Sequence, residues 1–146
     1  MSIKSRRAVR ELALNVLYQV DIAKIPPQEA LETALESTGL EEGAAEFAVT
    51  LVNGTLENLK SIDEEIARLS VGWDLHRQPA VDRNILRMAI YEIRFLDSIP
   101  ASVSINEAVD LAKKFSTEES GRFVNGVLGT LVRQSGMDEE EENHAG

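Results

Sequence analysis

The stretch VDRNILRMAIYEIRFLD, residues 81–97, carries apolar side chains around most of the circumference it would have as a helix, and Pro79 and Pro100 bracket it. A helix with one apolar stripe can lie on a surface, but one that is apolar nearly all round has to be enclosed. The rest of the chain must therefore supply its cover. Elsewhere apolar residues recur at about 100° per residue, and Gly and Pro fall mainly between those segments, where they end helices or set turns. Val9, Leu12, Ala13, Val16, Leu17 and Val20 form one such stripe.

This patterning predicts an all-α fold of seven helices, near 5–23, 27–37, 42–59, 61–71, 81–97, 104–115 and 117–134. Pro27 suits a first helical turn, whose N–H groups have no intrahelical acceptor. Ser61 with Glu64, Ser104 with Glu107 and Ser116 with Glu119 have the spacing of capping boxes, in which each side chain satisfies an orphaned backbone donor. SVSI at 102–105 alternates like a strand, yet it is short and has no partner segment. Gly126-Val127-Leu128-Gly129 places two glycines inside the last helix, where Gly126 is expected at a close helix crossing. Residues 1–136 read as a single helical domain, within which Gly72 to Pro79 could join two halves, and 137–146 read as an acidic, disordered tail.

The 146 residues, 43% hydrophobic and 27% charged, have the size and mixture of one globular domain. No apolar run approaches the roughly 20 residues of a membrane helix, and no export signal is evident at the start, so a cytoplasmic protein is expected. Without cysteine the chain can hold no disulfide, thiol nucleophile or Cys-based metal site, and two histidines, His76 and His144, are few for imidazole ligation. Neither a metal nor a cofactor is expected. Walker A, dinucleotide-binding and HExxH motifs are absent, and no nucleophile motif surrounds His76, so no catalytic residue is assigned. The glycosylation sequon Asn53-Gly54-Thr55 reads as accidental.

A net charge of −10 argues against nucleic acid until its distribution is considered. Residues 1–10 carry four basic groups and no acid, whereas 138–142 read DEEEE. Arg6, Arg7 and Arg10 occupy one arc of the first helix beside its apolar stripe, where guanidinium forks could meet phosphate oxygens. They could equally form a solvated face paired with the acidic body. KKFSTEESGRF, 113–123, sets Lys113, Lys114 and Arg122 next to Phe115 and Phe123, a combination that can stack unpaired bases. Rings at helical spacing more often pack inward, and burial is the expectation for each phenylalanine taken alone. Tyr18 could stack a base, offer its hydroxyl to a partner, or straddle core and water.

Taken together, SRRAVRELALNVLY (5–18), VGWDLHRQPAVDRNILRMAIYEI (71–93) and IPASVSINEAVDLAKKFSTEESGRFVNGVL (99–128) resemble the NusB family of bacterial transcription antitermination factors, collinearly from about residue 5 to 133. The resemblance implies an all-helical fold of two subbundles. It also implies a function: NusB proteins bind the boxA element of ribosomal RNA leader transcripts together with NusE, a small-subunit ribosomal protein, and join the antitermination assembly on RNA polymerase. By position, Arg6, Arg7 and Arg10 match the family's arginine-rich RNA-binding start, and Tyr18 and Phe123 match aromatics at the RNA and partner surface. Lys113, Ser120 and Arg122 lie in the same block as candidates for RNA backbone contacts. Asp82, Arg83 and Asn106 also match, and helix-terminal hydrogen bonds or ion pairs account for them as scaffold.

Three functional readings follow. The leading one is a non-catalytic adaptor that binds single-stranded boxA RNA with NusE. A helical adaptor that binds only proteins is the second. The third is an enzyme fragment, because NusB-like domains also stand at the N-terminus of certain ribosomal RNA cytosine methyltransferases. The acidic body and tail repel phosphate within a Debye length, which suits a factor whose affinity depends on a basic partner.

Overall fold

The computed structural model describes residues 3–70, 72 and 74–136, the side chains of 3–5 and 76 excepted. The expected tail at 137–146 lies outside the described residues, as does any role for the His76 side chain. Seven α-helices and no strand occur among the described residues: α1 (Ile3–Ile22), α2 (Pro27–Thr38), α3 (Glu42–Glu57), α4 (Leu59–Leu69), α5 (Ala80–Phe95), α6 (Ala101–Phe115) and α7 (Glu118–Ser135). A single 3-10 turn, Leu75–Arg77, precedes α5. Two compact units result, the first ending at Leu59 and the second beginning at Lys60. This division falls before the Gly72–Pro79 segment in which sequence suggested a join.

In the first unit, α1 packs against α2 and α3, and α2 touches α3. Val9, Ala13, Val16 and Leu17 of the anticipated stripe are buried, as are Leu51 and Val52 of α3. Pro26 and Pro27 start α2, and Gly39, at φ 61°, ends it in the left-handed conformation that a residue without a β-carbon adopts most cheaply.

In the second unit, α6 and α7 lie along each other and α5 packs on both. Every residue of α5 from Asp82 to Ile93 is buried, the polar Asp82, Arg83, Asn84, Arg87 and Glu92 included. Two of its buried charged groups are paired with other helices. Arg87 makes a two-pronged ion pair with Asp63 of α4, at 2.8 and 2.9 Å, and Glu92 accepts a hydrogen bond from Ser104 of α6 at 3.0 Å. Arg94 binds Glu65, which also pairs with Arg68. Burial by itself would raise the Glu65 carboxyl, but hydrogen bonds from Arg94 and Arg68, reinforced by their charge, outweigh it and hold the group below its ordinary 4.5.

The helix starts differ from the sequence reading for an identifiable reason. α5 and α6 begin immediately after Pro79 and Pro100, so proline rather than a hydroxyl punctuates the entry. Ser104 consequently sits inside α6 and bonds Glu92, and Ser61 sits inside α4. At α7 the cap is Thr117, whose side chain accepts from the Ser120 amide at 2.9 Å, one residue later than the expected Ser116. SVSI is helical throughout. Gly126 is not at a crossing, since a β-carbon there would meet nothing within 4 Å.

Candidate nucleic-acid interface

The candidate residues fall into two groups, one in each unit. On α1, the three arginines separate by depth. Arg7 is exposed and Arg6 half-buried, whereas Arg10 is only 2% exposed, with its guanidinium 5.6 Å from the ring centroid of Phe47 on α3. The helix itself explains the split. Arg10 follows Val9 and precedes Ala13 and Leu17, all buried, so it stands at the inner edge of the stripe. Its long stem and weakly hydrated head let it stand over an aromatic face. The expectation that all three arginines reach the surface together therefore fails at Arg10.

Arg6 contributes differently: its Nε is buried and has no hydrogen-bond partner. Tyr18 is 39% exposed. Eleven residues at 3.6 per turn bring it back to within about 20° of Arg7, about 16 Å further along the axis. Arg7 and Tyr18 thus share one exposed face, with half-buried Glu11 between them.

The second group lies where α6 ends and α7 begins. Lys113, Lys114 and Phe115 form the last turn of α6, and all three are exposed. Phe115, expected inside, is 46% exposed and carries the Lys114 ammonium 5.2 Å from its ring centroid. Across the two-residue link Ser116–Thr117, Arg122 is exposed and Phe123 half-buried. A cationic head, a flat ring and a second basic group therefore occur within one corner of the unit, the residue types that meet phosphates and bases. The sequence places Phe115 in a basic-aromatic run, and its ring taken alone is expected in the core. Its position as the last residue of α6, beyond the buried Leu111 and Ala112, is the signal that separates it from them.

Ser120 is placed elsewhere. It is buried, and its hydroxyl donates to Asp82 Oδ2 at 2.7 Å while lying 2.9 Å from Ser116 Oγ and 3.0 Å from Thr117 Oγ1. These contacts join the first turns of α5 and α7. Asp82 Oδ1 and both polar atoms of the Gln78 side chain are buried beside them in sequence without a hydrogen-bond partner. Asp82 and Arg83 are buried as the scaffold reading expects, Arg83 directing Nη1 toward the Leu75 carbonyl at 3.4 Å, whereas Asn106 is exposed.

Among the described residues no helix is long and apolar enough to cross a membrane, and no group of three or more His, Asp or Glu is arranged to hold a metal ion.

Residues 7–133 match the model of the NusB family. A protein of Pelotomaculum thermopropionicum described as transcription antitermination protein NusB is 53% identical over 128 residues, covering 88% of this chain and 89% of the relative. A protein of the same description from Desulforamulus reducens is 48% identical over 127 residues, covering 87% and 89%. Among solved structures, T. maritima NusB superposes with a TM-score of 0.83 at 39% identity, covering 88% of this chain and 90% of the other. A structure described as antitermination factors NusB and NusE in complex with dsRNA superposes with a TM-score of 0.83 at 30% identity, covering 91% and 99%.

Proposed function

This chain belongs to the NusB family, and from that premise we propose that it is a non-catalytic RNA-binding adaptor in transcription antitermination, acting in the cytoplasm with NusE and RNA polymerase on boxA-type ribosomal RNA leaders. The observation that carries the reading is the likeness, over 91% of this chain, to a structure of NusB and NusE with dsRNA. The surface chemistry supports it. Arg7 offers donors to phosphate, with the half-buried Arg6 beside it, while Tyr18, Phe123 and the exposed Phe115 offer rings to bases. Lys113 and Arg122 add positive charge where an acidic protein otherwise repels RNA. Arg10 acts from beneath by fixing α1 against Phe47, and Ser120 acts through the joint with Asp82. The functional body is residues 1–136, and 137–146 form an acidic tail that turns away unrelated RNA.

Two linked surfaces on one RNA reinforce each other, so NusE supplies affinity that this chain alone lacks. The test is binding of labelled single-stranded boxA RNA, a scrambled strand and a boxA duplex, with and without NusE, across a salt series. Preference for single-stranded boxA that strengthens with NusE, with a slope of about −0.7 per neutralised phosphate, is the expected result. Equal, weak binding of all three RNAs with NusE present would refute the RNA role and leave an adaptor between proteins. Preference for the duplex would refute the single-strand reading alone.

A further inference from the structure

Gly121 stands in the first turn of α7, in a regular stretch of helix where its backbone has no positive φ to require glycine. Helix propensity argues against it there. What requires it is Lys113 of α6: a β-carbon at 121 would lie 2.8 Å from Lys113 Cγ, 3.2 Å from Cε and 3.6 Å from Cδ. The tightest of these contacts is near the root of the lysine side chain, which cannot yield by moving its tip alone. The whole stem is thus laid across the bare backbone of α7, and Gly121 is buried beneath it. Lys113 makes no ion pair or hydrogen bond with another described residue, although acids outnumber bases 25 to 15 in this chain. Its stem is held by packing, and its ammonium has no carboxylate partner among the described residues.

We infer that Gly121 is a positioning residue, a notch that seats the Lys113 stem and so aims its ammonium at a phosphodiester of bound RNA. A lysine free to sample its rotamers loses side-chain entropy when it is fixed on a ligand. Seating the stem in advance removes part of that loss before RNA arrives. The inference rests on the RNA-binding reading above and adds the residue that acts through Lys113.

A double-mutant cycle on the full chain with NusE and boxA RNA tests it, using Gly121→Ala, Lys113→Met and the double variant. Lys113→Met should weaken binding and lower the salt slope by about 0.7, the loss of one phosphate contact. Gly121→Ala should weaken binding in the wild-type background and have no further effect in the Lys113→Met background. Carbon relaxation of the Lys113 methylenes without RNA provides a separate readout: they should be ordered in the wild type and mobile in Gly121→Ala. If the two substitutions multiply in the cycle, or the methylenes are equally mobile in both proteins, the notch is refuted while RNA binding stands. If the wild type fails to distinguish boxA from scrambled RNA, the functional reading falls and takes the proposed ligand of Lys113 with it.

Discussion

Replacing Arg10 by Ala would cost little if the residue were a solvated arginine, but the structure sets a much larger penalty. Removing a desolvated guanidinium from the Phe47 ring, 5.6 Å away, forfeits about 2 kcal/mol. Truncation to Ala also withdraws two buried methylenes beyond Cβ, at roughly 0.8 kcal/mol each. Together these predict a loss of about 3–4 kcal/mol, a large share of the roughly 5–15 kcal/mol that holds a domain folded. Arg10→Met retains most of the stem and should lose only the part that depends on the cation, about 2 kcal/mol. Arg7→Ala, on the exposed face, should stay within about 0.5 kcal/mol of the parent. Urea denaturation followed by circular dichroism measures all three, with an unchanged m-value confirming that stability and not compactness has altered. If Arg10→Ala shifts the midpoint no further than Arg7→Ala, the guanidinium is not held on Phe47. The same variants divide the arginine cluster by role. At temperatures where it is folded, Arg10→Met should leave the salt slope of RNA binding unchanged, whereas Arg7→Ala should reduce it.

Four further outcomes are expected. Asp63→Ala strands the Arg87 guanidinium, and because Asp63 is 26% exposed the cost should fall at or just below the 3–5 kcal/mol typical of fully buried pairs, read as a lowered urea midpoint. Glu65→Gln should destabilise the protein at neutral pH, and the gap should close on acidification: the depressed folded-state value means that the Glu65 contribution is complete above about 4.5 and is lost as pH falls through the lower folded value. Melting temperature against pH checks it, and a gap that persists in strong acid would contradict the assignment. Thr117→Ala should cost about 1 kcal/mol through the lost α7 cap, more than Ser116→Ala does in the same melting assay. Deleting 138–146 should raise affinity for scrambled RNA at low salt, and unchanged affinity would show that the tail does not screen.

The helices were readable because each carries its own periodicity and its own punctuation. Pro27, Pro79 and Pro100 act on the residues next to them, so seven elements could be placed from local sequence, with α6 starting three residues earlier than its serine suggested. The depth of Arg10 was not readable in this way. It depends on Phe47, which another helix brings to α1, and an arc of three arginines looks the same whether or not a ring lies under one of them. The glycines teach the same lesson. Gly126 and Gly129 form a pattern in the sequence, yet a β-carbon at Gly126 would meet nothing within 4 Å, whereas one at Gly121 would strike the stem of Lys113 on the neighbouring helix. Ser120 matched the site block by position, but its hydroxyl is engaged by Asp82, 38 residues earlier. Contact with RNA was legible as a family likeness, whereas the division of labour among residues required the fold.

The burial of α5 on every side has a consequence for how the chain is made. α5 is complete at Phe95, but α6 and α7, which pack on it, end only at Phe115 and Ser135. At about 5–20 residues per second, the intervening stretch of about 40 residues takes roughly 2–8 s to synthesise. For those seconds the apolar face of a nascent segment has to persist on the ribosome before its cover exists. α6 and α7, adjacent in sequence and joined by two residues, can pair with each other quickly once translated. Synthesis of α7 rather than of α5 is then the event that ends the exposure, and a pause between codons 95 and 135 would lengthen the interval open to chaperones and to aggregation.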